Sequence, residues 1–391
     1  MNIGVPKEVI VGETRVALVP ESVAQLTRKG HTVFVEAGAG EASSYLDEHY
    51  SDAGASVLSD VFDVYERSDL ICKVQRPVAH PSAGKHEIDL LRPGQTLITF
   101  FQPLVNHDIV LKLLEKRVTS FSMDAIPRIT RAQSMDALSS MSTVAGYKAV
   151  LLGANALGKF FPLLMTAAGT VRPAKVLVLG AGVAGLMAIA TARRLGAVVE
   201  AFDVRPAVKE QVESLGAKFL ELEITEQTET AGGYATELSE ETHRRELELI
   251  HRHVRDADVV ITTALIPGKP APVLITEPMI QDMRAGSVIV DLASENGGNC
   301  ELTEPGCDFV RHNVRILGPL NVPAMMPIHA SQLYSRNIVN LLNLLTDKEG
   351  NLNLDFNDEI IAGTCITHDG RIINKQVRAA LEATALERSH T

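Results

Sequence analysis

The sequence predicts an α/β fold made of two Rossmann-like, doubly wound lobes joined by long helices. Two sets of β-branched strands alternate with helical patterns, which is typical of βαβ units around a parallel sheet. The first set comprises TVFVEAG, LICKVQ, TLITFF and VTSFSM, and the second comprises KVLVLG, VVEAFD, KFLEL, DVVITTA, SVIVDLA and VRILGP. A chain of 391 residues also exceeds what one hydrophobic core usually fills, so two lobes are expected.

Two helical patterns mark the boundaries between the lobes. Ala and Leu recur at three- and four-residue spacings from residue 133 to 165, and apolar residues do so again in IHASQLYSRNIVNLLNLL. A pair of linking helices returns the C-terminal segment to the first lobe, where NLNLDF and IIAGTCITHDGRII have hairpin-like alternation. We therefore expect one lobe from residues 1–138 and 325–391 and a second from residues 139–324.

Composition and charge disfavour several classes of protein. Hydrophobic residues make up 46% of the chain and charged residues 22%, as in soluble globular proteins. The net charge of −11 argues against nucleic-acid binding, because that binding relies on Lys and Arg. The most apolar segment is interrupted by Lys148 and Lys159, so no membrane span is expected. The start MNIGVPKEV has no signal-peptide core, which predicts a cytoplasmic location.

The cysteines predict reduced, buried thiols, since they form no CxxC pair that would favour a metal or redox site. They are Cys72, Cys300, Cys307 and Cys365.

A dinucleotide fingerprint lies at the start of the second lobe. Gly180, Gly182 and Gly185 form GxGxxG directly between a predicted strand and a helix, which is the context that the motif requires. The glycines permit the tight turn, the approach of a pyrophosphate and close helix–strand packing. Asp203 ends the next predicted strand, where a carboxylate accepts the adenosine ribose hydroxyls and favours NAD over NADP. Arg205 is counter-evidence, because an Arg near this position accommodates a 2′-phosphate.

A long polar segment, ITEQTETAGGYATELSEET, follows the third strand of the second lobe. It fits either a solvated loop or a lid. In the lid interpretation Gly232 and Gly233 act as hinges and Tyr234 covers the nucleotide.

Polar residues cluster in PRITRAQSMDALSS, just before the first linking helix. Arg128, Gln133, Asp136 and Ser139 could converge on the nicotinamide end of a nucleotide in the cleft between the lobes. The alternative is helix N-terminal chemistry, with Ser134 as the cap and Asp136 beside the positive end of the helix dipole.

No histidine stands out as the acid or base that an ordinary dehydrogenase needs. His243, His251 and His253 lie on a charged helical face, where surface placement is expected. His107, His312 and His329 have no motif around them.

Seven motifs in order resemble the NAD(H)-binding domain I of proton-translocating nicotinamide nucleotide transhydrogenase. They are ETRVALVP, PRITRAQSMDALSS, GAGVAGL, AFDVRP, ITTALIPGKPAPVLI, DLASENGGNCE and SQLYSRNIVNLL, and the match runs across nearly the whole chain. The resemblance implies two α/β lobes with NAD(H) in the cleft, a homodimer, and hydride exchange with NADP(H) on a separate domain III. The proton path would belong to a membrane domain II, so this chain would sit at the cytoplasmic face of the bacterial inner membrane through its partner subunits.

The resemblance also implies site residues. Arg128, Gln133, Asp136 and Ser139 correspond to the loop that contacts the nicotinamide nucleotide and would act in catalysis, and Tyr234 to the mobile loop. The remaining expected coenzyme contacts are Gly180, Gly182, Val183, Gly185, Asp203, Val204, Arg205, Gly233, Ala264 and Leu265. Hydride passing directly between two nicotinamide rings releases no proton, so positioning alone would be required and no acid or base would be missing.

The alternative family is alanine dehydrogenase, which is similar to this family in fold and shares several segments. Its substrate-binding Arg and Lys would correspond to Arg15 and Lys73, and its catalytic Asp would fall near Glu295. Its catalytic His would fall at Gln102, and glutamine is neither an acid nor a base. A third interpretation is a nucleotide-sensing module without chemistry.

Overall fold

The computed structural model describes residues 1–222, 239–266 and 269–389. The chain divides into two compact units, Met1–Met141 with Ala324–Thr391, and Ser142–Pro323. The described portion of each unit is built around a mainly parallel sheet with helices, which confirms the predicted α/β class.

The first unit begins with six parallel strands. They are β1 (Asn2–Val5), β2 (Thr32–Glu36), β3 (Ser56–Leu58), β4 (Leu70–Cys72), β5 (Thr96–Thr99) and β6 (Thr119–Ser122). Helices α1 (Pro20–Arg28), α2 (Asp47–Asp52), α3 (Val61–Arg67), α4 (Glu87–Leu90) and α5 (His107–Glu115) connect them. The strand order β3-β2-β1-β4-β5-β6 is that of a doubly wound Rossmann sheet.

The second unit carries the sheet that follows the glycine fingerprint. A separate hairpin precedes this sheet and consists of β7 (Leu164–Thr166) and β8 (Gly169–Val171). The strands of the sheet are β9 (Lys175–Leu179), β10 (Val198–Phe202), β11 (Lys218–Phe219), β12 (Val259–Thr262), β13 (Val288–Asp291), β14 (Asp308–Arg311) and β15 (Val314–Leu317). The helices are α6 (Ala137–Ala156), which starts in the first unit, α7 (Val183–Arg194), α8 (Lys209–Ser214), α9 (Glu240–Val254) and α10 (Glu277–Gln281). The order β11-β10-β9-β12-β13-β15 repeats the Rossmann order, and β14 adds an antiparallel edge.

The remaining elements return to the first unit. They are α11 (Pro327–Leu345), α12 (Glu359–Thr364), β16 (Cys365–His368), β17 (Arg371–Ile372) and α13 (Lys375–Ser389). Strand β16 pairs antiparallel with β6, and β17 pairs with β16. The C-terminal strands β16 and β17 thereby extend the first sheet at its β6 edge. The NLNLDF segment contributes Leu352 to an isolated bridge with Thr346, and all of IIAGT lies in α12.

Strand β9 shows why the second sheet was recognisable. Val176 and Val178 pack into one apolar cluster, whereas Leu177 and Leu179 pack into another. Because successive side chains point to opposite faces, a strand covered on both faces is a continuous apolar run. Helix α7 packs in the first of these clusters and helix α9 in the second, so both faces of the sheet are covered by helices.

The predicted first linking helix was partly wrong. One or two helices were expected from residue 133 to 165, but α6 covers only Ala137–Ala156 and is preceded by a 3-10 turn, Thr130–Met135. The chain then reaches the β7–β8 hairpin. Pro162 lacks the main-chain donor that a helix needs, and Gly158 adds backbone freedom, so the apolar pattern continues where the helix does not.

The structure also bears on the expectations about membrane spans and about the cysteines. Among the described residues, no helix is long and apolar enough to cross a bilayer. Cys72, Cys300 and Cys365 are free and buried, as expected, whereas Cys307 is exposed, so the expectation was wrong for that residue. Cys307 follows the Pro305–Gly306 turn at the start of the edge strand β14, where a side chain meets solvent.

Candidate nucleotide-binding site

The candidate site lies at the carboxyl edge of the second sheet. Gly180 follows β9, Asp203 follows β10 and Thr263 follows β12. Strand order reverses between β9 and β12, because β10 and β11 lie on one side and β13 and β15 on the other. Ligands of open α/β sheets bind beside the carboxyl ends of the strands at such a reversal.

The glycine turn has the geometry that its three residues require. Gly180 has a φ of 94°, in the left-handed region, and a Cβ there would lie 2.6 Å from Oγ1 of Thr263. A Cβ on Gly185 would lie 1.9 Å from the carbonyl oxygen of Gly180, so helix and turn pack too closely for a side chain. A Cβ on Gly182 would meet nothing within 4 Å, which leaves space above the backbone.

Helix α7 begins directly at this open space. Gly182 is its N-cap, and the first helical hydrogen bond runs from Leu186 N–H to the Gly182 carbonyl at 2.8 Å. The N–H groups of Val183, Ala184 and Gly185 precede that bond and have no partner within the helix. A helix N-terminus with free donors and a positive dipole end is suited to a phosphate.

Asp203 is joined to the glycine turn and to Arg205. Its Oδ2 accepts a hydrogen bond from Ala181 N–H at 2.7 Å. Its Oδ1 accepts from the Arg205 main chain at 2.9 Å and from Arg205 Nε at 2.8 Å, and the guanidinium also pairs with Oδ2 at 2.7 Å. The carboxylate is nearly buried, so the turn fixes both its position and that of the Arg205 cation.

A carboxyl group that the sequence did not single out lies close to Asp203. Glu246 on α9 is 4% exposed and its Oε2 lies 2.7 Å from Nδ1 of His243. Burial raises the pKa of Glu246, His243 lowers it, and the charge of Asp203 raises it further. The charged α9 face was predicted, but its histidines pair with carboxylates: His243 with Glu246, His251 with Asp282 and His253 with Glu200.

The segment after β12 lies against the glycine turn. Thr263 Oγ1 donates a hydrogen bond to the Gly180 carbonyl at 3.0 Å. Both main-chain polar groups of Ala264 bond to the side chain of Asn299, and Leu265 beyond it is 44% exposed. Val204, beside Asp203, instead packs against the apolar core. Thr263 and Asn299 were missed, although the two glycines before Asn299 in ENGGNCE announce a tight turn.

The polar segment from Arg128 to Ser139 belongs to the first unit. Arg128 and Gln133 are exposed, and Asp136 and Ser139 are half-buried. Asp136 Oδ1 accepts a hydrogen bond from Ser139 N–H at 2.9 Å, and Oδ2 accepts from the Ser139 hydroxyl at 2.6 Å. Asp136, not Ser134, therefore caps the start of α6.

The second linking helix anchors this segment. The carbonyl of Ser134 accepts hydrogen bonds from the side-chain amides of Asn337 and Asn340 on α11, at 2.9 and 3.0 Å. Arg131 pairs with Asp358, the N-cap of α12, at 2.6 Å. These contacts hold the backbone around Gln133 while leaving its side chain in solvent.

The residues that matched the alternative family form buried ion pairs in the first unit. Nζ of Lys73 lies 2.7 Å from Glu87 and 3.3 Å from Glu8, and Arg15 pairs with Glu13 at 2.6 Å. Burial raises the pKa of Glu8. It lowers the pKa of Lys73, but Glu8 and Glu87 outweigh burial and raise it overall. Both cations are therefore matched by carboxylates of this chain.

Gln102 lies beyond the end of β5. It is exposed, has a φ of 46°, and its main-chain N–H donates to Asp124 Oδ2 at 2.8 Å. Glu295, the other residue in the comparison, accepts from Asn321 N–H at 2.5 Å in the second unit. Gly233 and Tyr234 lie outside the described residues.

Comparisons with known proteins cover almost the whole chain. The model described as the alanine dehydrogenase/PNT N-terminal domain matches residues 4–145, and that of the C-terminal domain matches residues 149–375. An NAD(P) transhydrogenase subunit alpha polypeptide of Rhodospirillum rubrum is 49% identical over 377 residues, which cover 96% of this chain and 98% of that protein.

Solved structures agree with these matches. A transhydrogenase structure from Sinorhizobium meliloti has a TM-score of 0.84 at 43% identity and covers 95% of this chain and 100% of its own. An L-alanine dehydrogenase structure has a TM-score of 0.79 at 29% identity, with 98% and 99% covered. The chain belongs to the alanine dehydrogenase/PNT family.

Proposed function

We propose that this chain is the NAD(H)-binding subunit of a proton-translocating, Re/Si-specific NAD(P)⁺ transhydrogenase. In this proposal hydride passes directly between NAD(H) on this chain and NADP(H) on a partner domain, and membrane subunits couple the exchange to proton translocation. The observation that carries the proposal is the glycine turn at the strand-order reversal, with an open space above Gly182 and the Asp203 carboxylate fixed beside it.

The residues of the second unit fit a dinucleotide. The α7 N-terminus would hold the pyrophosphate, and Asp203 would accept the ribose hydroxyls. Val183, Arg205, Ala264 and Leu265 would line the same edge, with Val204 in the core behind it, and Gly233 and Tyr234, outside the described residues, would be further contacts. Bound NAD(H) supplies the nicotinamide ring that accepts or gives the hydride.

The polar segment of the first unit would orient the nicotinamide end. Asp136 and Ser139 are already fixed to each other, so they would offer a rigid polar surface to the carboxamide. Arg128 and Gln133 are exposed on a backbone that α11 anchors, which suits them to hold the ring and its ribose. Orientation of reacting groups at about 3–3.5 Å supplies roughly 7–11 kcal/mol of a barrier without any proton transfer.

The transhydrogenase reaction is favoured over alanine oxidation by the residue at position 102. Amino-acid oxidation needs a group that takes a proton, and an amide at Gln102 does not titrate near neutral pH. The identity to the Rhodospirillum rubrum transhydrogenase subunit, 49%, also exceeds the 32% to the alanine dehydrogenase of Halomonas elongata. Alanine dehydrogenase stays the second candidate because Arg15 and Lys73 are present.

The proposed function also includes an assembly with partner subunits. NADP(H) would be held by domain III, the proton path would lie in membrane domain II, and this chain would form a homodimer at the cytoplasmic face of the bacterial inner membrane. It would meet the membrane only through those partners.

The test is hydride exchange by the purified chain mixed with an NADP-binding partner domain. We expect exchange between the two nucleotide pools with that partner, and no pyruvate from alanine and NAD without it. Pyruvate formation by the chain alone would favour the dehydrogenase. NAD(H) binding with neither reaction would favour a nucleotide sensor.

Gln133→Asn tests the role of the polar segment. Shortening this exposed side chain should slow exchange while leaving the Kd for NADH nearly intact, since the interaction would be made mainly in the reactive geometry. The matched control is Gln25→Asn on the exposed face of α1, which should exchange at the wild-type rate. Equal rates in both variants would remove Gln133 from the proposal.

A further inference from the structure

The side chain of Asn299 connects the residues directly after β12 with Pro272. Its Oδ1 accepts a hydrogen bond from Ala264 N–H at 3.0 Å, and its Nδ2 donates to the Ala264 carbonyl at 2.9 Å and to the Pro272 carbonyl at 2.8 Å. Both amide hydrogens and the amide oxygen are thus engaged. One fully buried side chain ties both main-chain polar groups of Ala264 to the Pro272 carbonyl.

The main chain of Asn299 is itself held on both sides. Its carbonyl accepts hydrogen bonds from Leu274 and Ile275 N–H at 2.8 and 3.0 Å. Its N–H donates to Oδ2 of Asp291 at 2.8 Å. The amide side chain therefore projects from a backbone that has little freedom to move.

Asp291 is the anchor of this arrangement. It ends β13, is completely buried, and accepts hydrogen bonds from two hydroxyls and three main-chain N–H groups. The donors are Thr262, Thr303, Ala293, Asn299 and Cys300. Gly298 has a φ of 84°, and a Cβ there would lie 2.9 Å from Asp291 Oδ2, so the turn approaches the carboxylate as closely as a glycine allows.

Ala264 in turn lies against the glycine turn. A Cβ on Gly180 would be 3.2 Å from Ala264 N, and Thr263 Oγ1 bonds to the Gly180 carbonyl at 3.0 Å. Ala264 therefore leaves no room for a side chain on Gly180, and its neighbour Thr263 is bonded to the turn directly. Contacts run without a break from Asp291 through Asn299 and Ala264 to Gly180.

We propose that Asn299 is a positioning residue for the coenzyme, holding Thr263 and Ala264 against the Gly180 turn so that the site is formed before the ligand arrives. This role rests on the proposed function, because it takes the Gly180 turn as the NAD(H) site. Pre-formed geometry raises affinity because no ordering cost is left for the binding step.

Asn299→Asp is the direct test. The aspartate has the same shape, but it replaces two donor hydrogens with an acceptor facing the carbonyls of Ala264 and Pro272. Loss of buried hydrogen bonds of this kind should raise the Kd for NADH by about tenfold or more. Hydrogen exchange of the peptide covering residues 263–275 should also become faster.

Controls separate positioning from simple stability. Kd is measured by calorimetry well below the melting temperature, where a merely structural role would lower the melting temperature and leave the Kd unchanged. Asn313→Asp makes the same chemical change at an exposed position of the same unit and should bind NADH as the wild type does. Asn299→Ala is the second variant, should the aspartate disturb folding.

The outcomes are distinct. If the wild type binds NADH and a folded Asn299 variant has the same Kd, the positioning role is wrong and the proposed function still stands. No NADH binding by the wild type overturns both. In the wild type, hydrogen exchange at Ala264 should already be slow without NADH, and fast exchange there contradicts a site that is formed before the ligand arrives.

Discussion

At the scale of single residues, Asp203 and Arg205 carry opposite preferences for the coenzyme. The carboxylate favours a ribose hydroxyl, and the guanidinium would favour a 2′-phosphate. Arg205 donates three hydrogen bonds of 2.7–2.9 Å to the Asp203 carboxylate, and two of them hold its guanidinium against that carboxylate. We infer that Arg205 becomes available to a phosphate only when the carboxylate is removed.

We therefore expect Asp203→Ser to shift preference towards NADPH. A 2′-phosphate about 4 Å from a carboxylate costs on the order of 4 kcal/mol at an effective dielectric near 20, so its removal should strengthen NADPH binding while NADH loses its ribose acceptor. The measurement is the Kd of each reduced coenzyme by fluorescence titration.

The double variant Asp203→Ser with Arg205→Ala is the control for this switch. It should bind NADPH more weakly than Asp203→Ser alone, because the phosphate then meets neither charge. If the two variants bind NADPH equally, Arg205 has no role in the change. If neither variant differs from the wild type in preference, Asp203 does not select the coenzyme.

At the scale of elements, α6 packs on α7 through a glycine. A Cβ on Gly146 would lie 2.0 Å from the carbonyl oxygen of Ala184, so the two backbones meet without an intervening side chain. Glycine is unfavourable in the middle of a helix, and this close contact is the packing reason for it. Gly153 on the same helix faces β12, since a Cβ at Gly153 would lie 2.9 Å from Cγ1 of Val259.

Gly146→Ala should destabilise the chain despite the better helix propensity of alanine. Propensity favours Ala by about 1 kcal/mol in a helix interior, whereas overpacking typically costs about 1–3 kcal/mol. The steric effect should win because the clash is with backbone, which yields less than a side chain. Thermal unfolding measures the difference.

Gly158→Ala provides the matched comparison. A Cβ there would meet nothing within 4 Å, so this variant should melt at or slightly above the wild-type temperature. A Gly146→Ala variant that melts as high as Gly158→Ala would show that α6 can move away from α7 at no cost.

At the scale of the whole molecule, the β7–β8 hairpin and the residues before it expose several apolar side chains. Met165 is 80% exposed, and Leu163 and Phe160 before it are 53% and 59% exposed. Grouped apolar side chains on a hairpin are unusual on the surface of a monomer and mark interaction sites. We propose that this hairpin contributes to the interface of the homodimer proposed above.

Met165→Asp should shift the chain from dimer towards its monomer mass of 42.2 kDa in analytical ultracentrifugation. A charge placed in an apolar contact loses hydration without gaining a partner. Val310→Asp on the edge strand β14 is the control, since Val310 is 65% exposed but stands outside this group. A dimer that survives Met165→Asp would place the interface elsewhere, and a wild-type monomer would exclude the proposal.

The sequence alone was enough to recognise both parallel sheets, the glycine turn and the acid after β10. These features depend on local rules: buried strands are continuous apolar runs, and a tight turn before a helix needs glycines at set spacings. The exact division into folding domains and the coenzyme contacts stay predictions.

Tertiary structure alone decided which distant groups meet. Asn299 reaches Ala264 across 35 positions, and Glu246 comes close to Asp203, because the carboxyl ends of parallel strands and the helices beside them share one edge of the sheet. Likewise the end of the apolar run after α6 became a hairpin, since periodicity does not record whether the neighbouring backbone lets a helix continue.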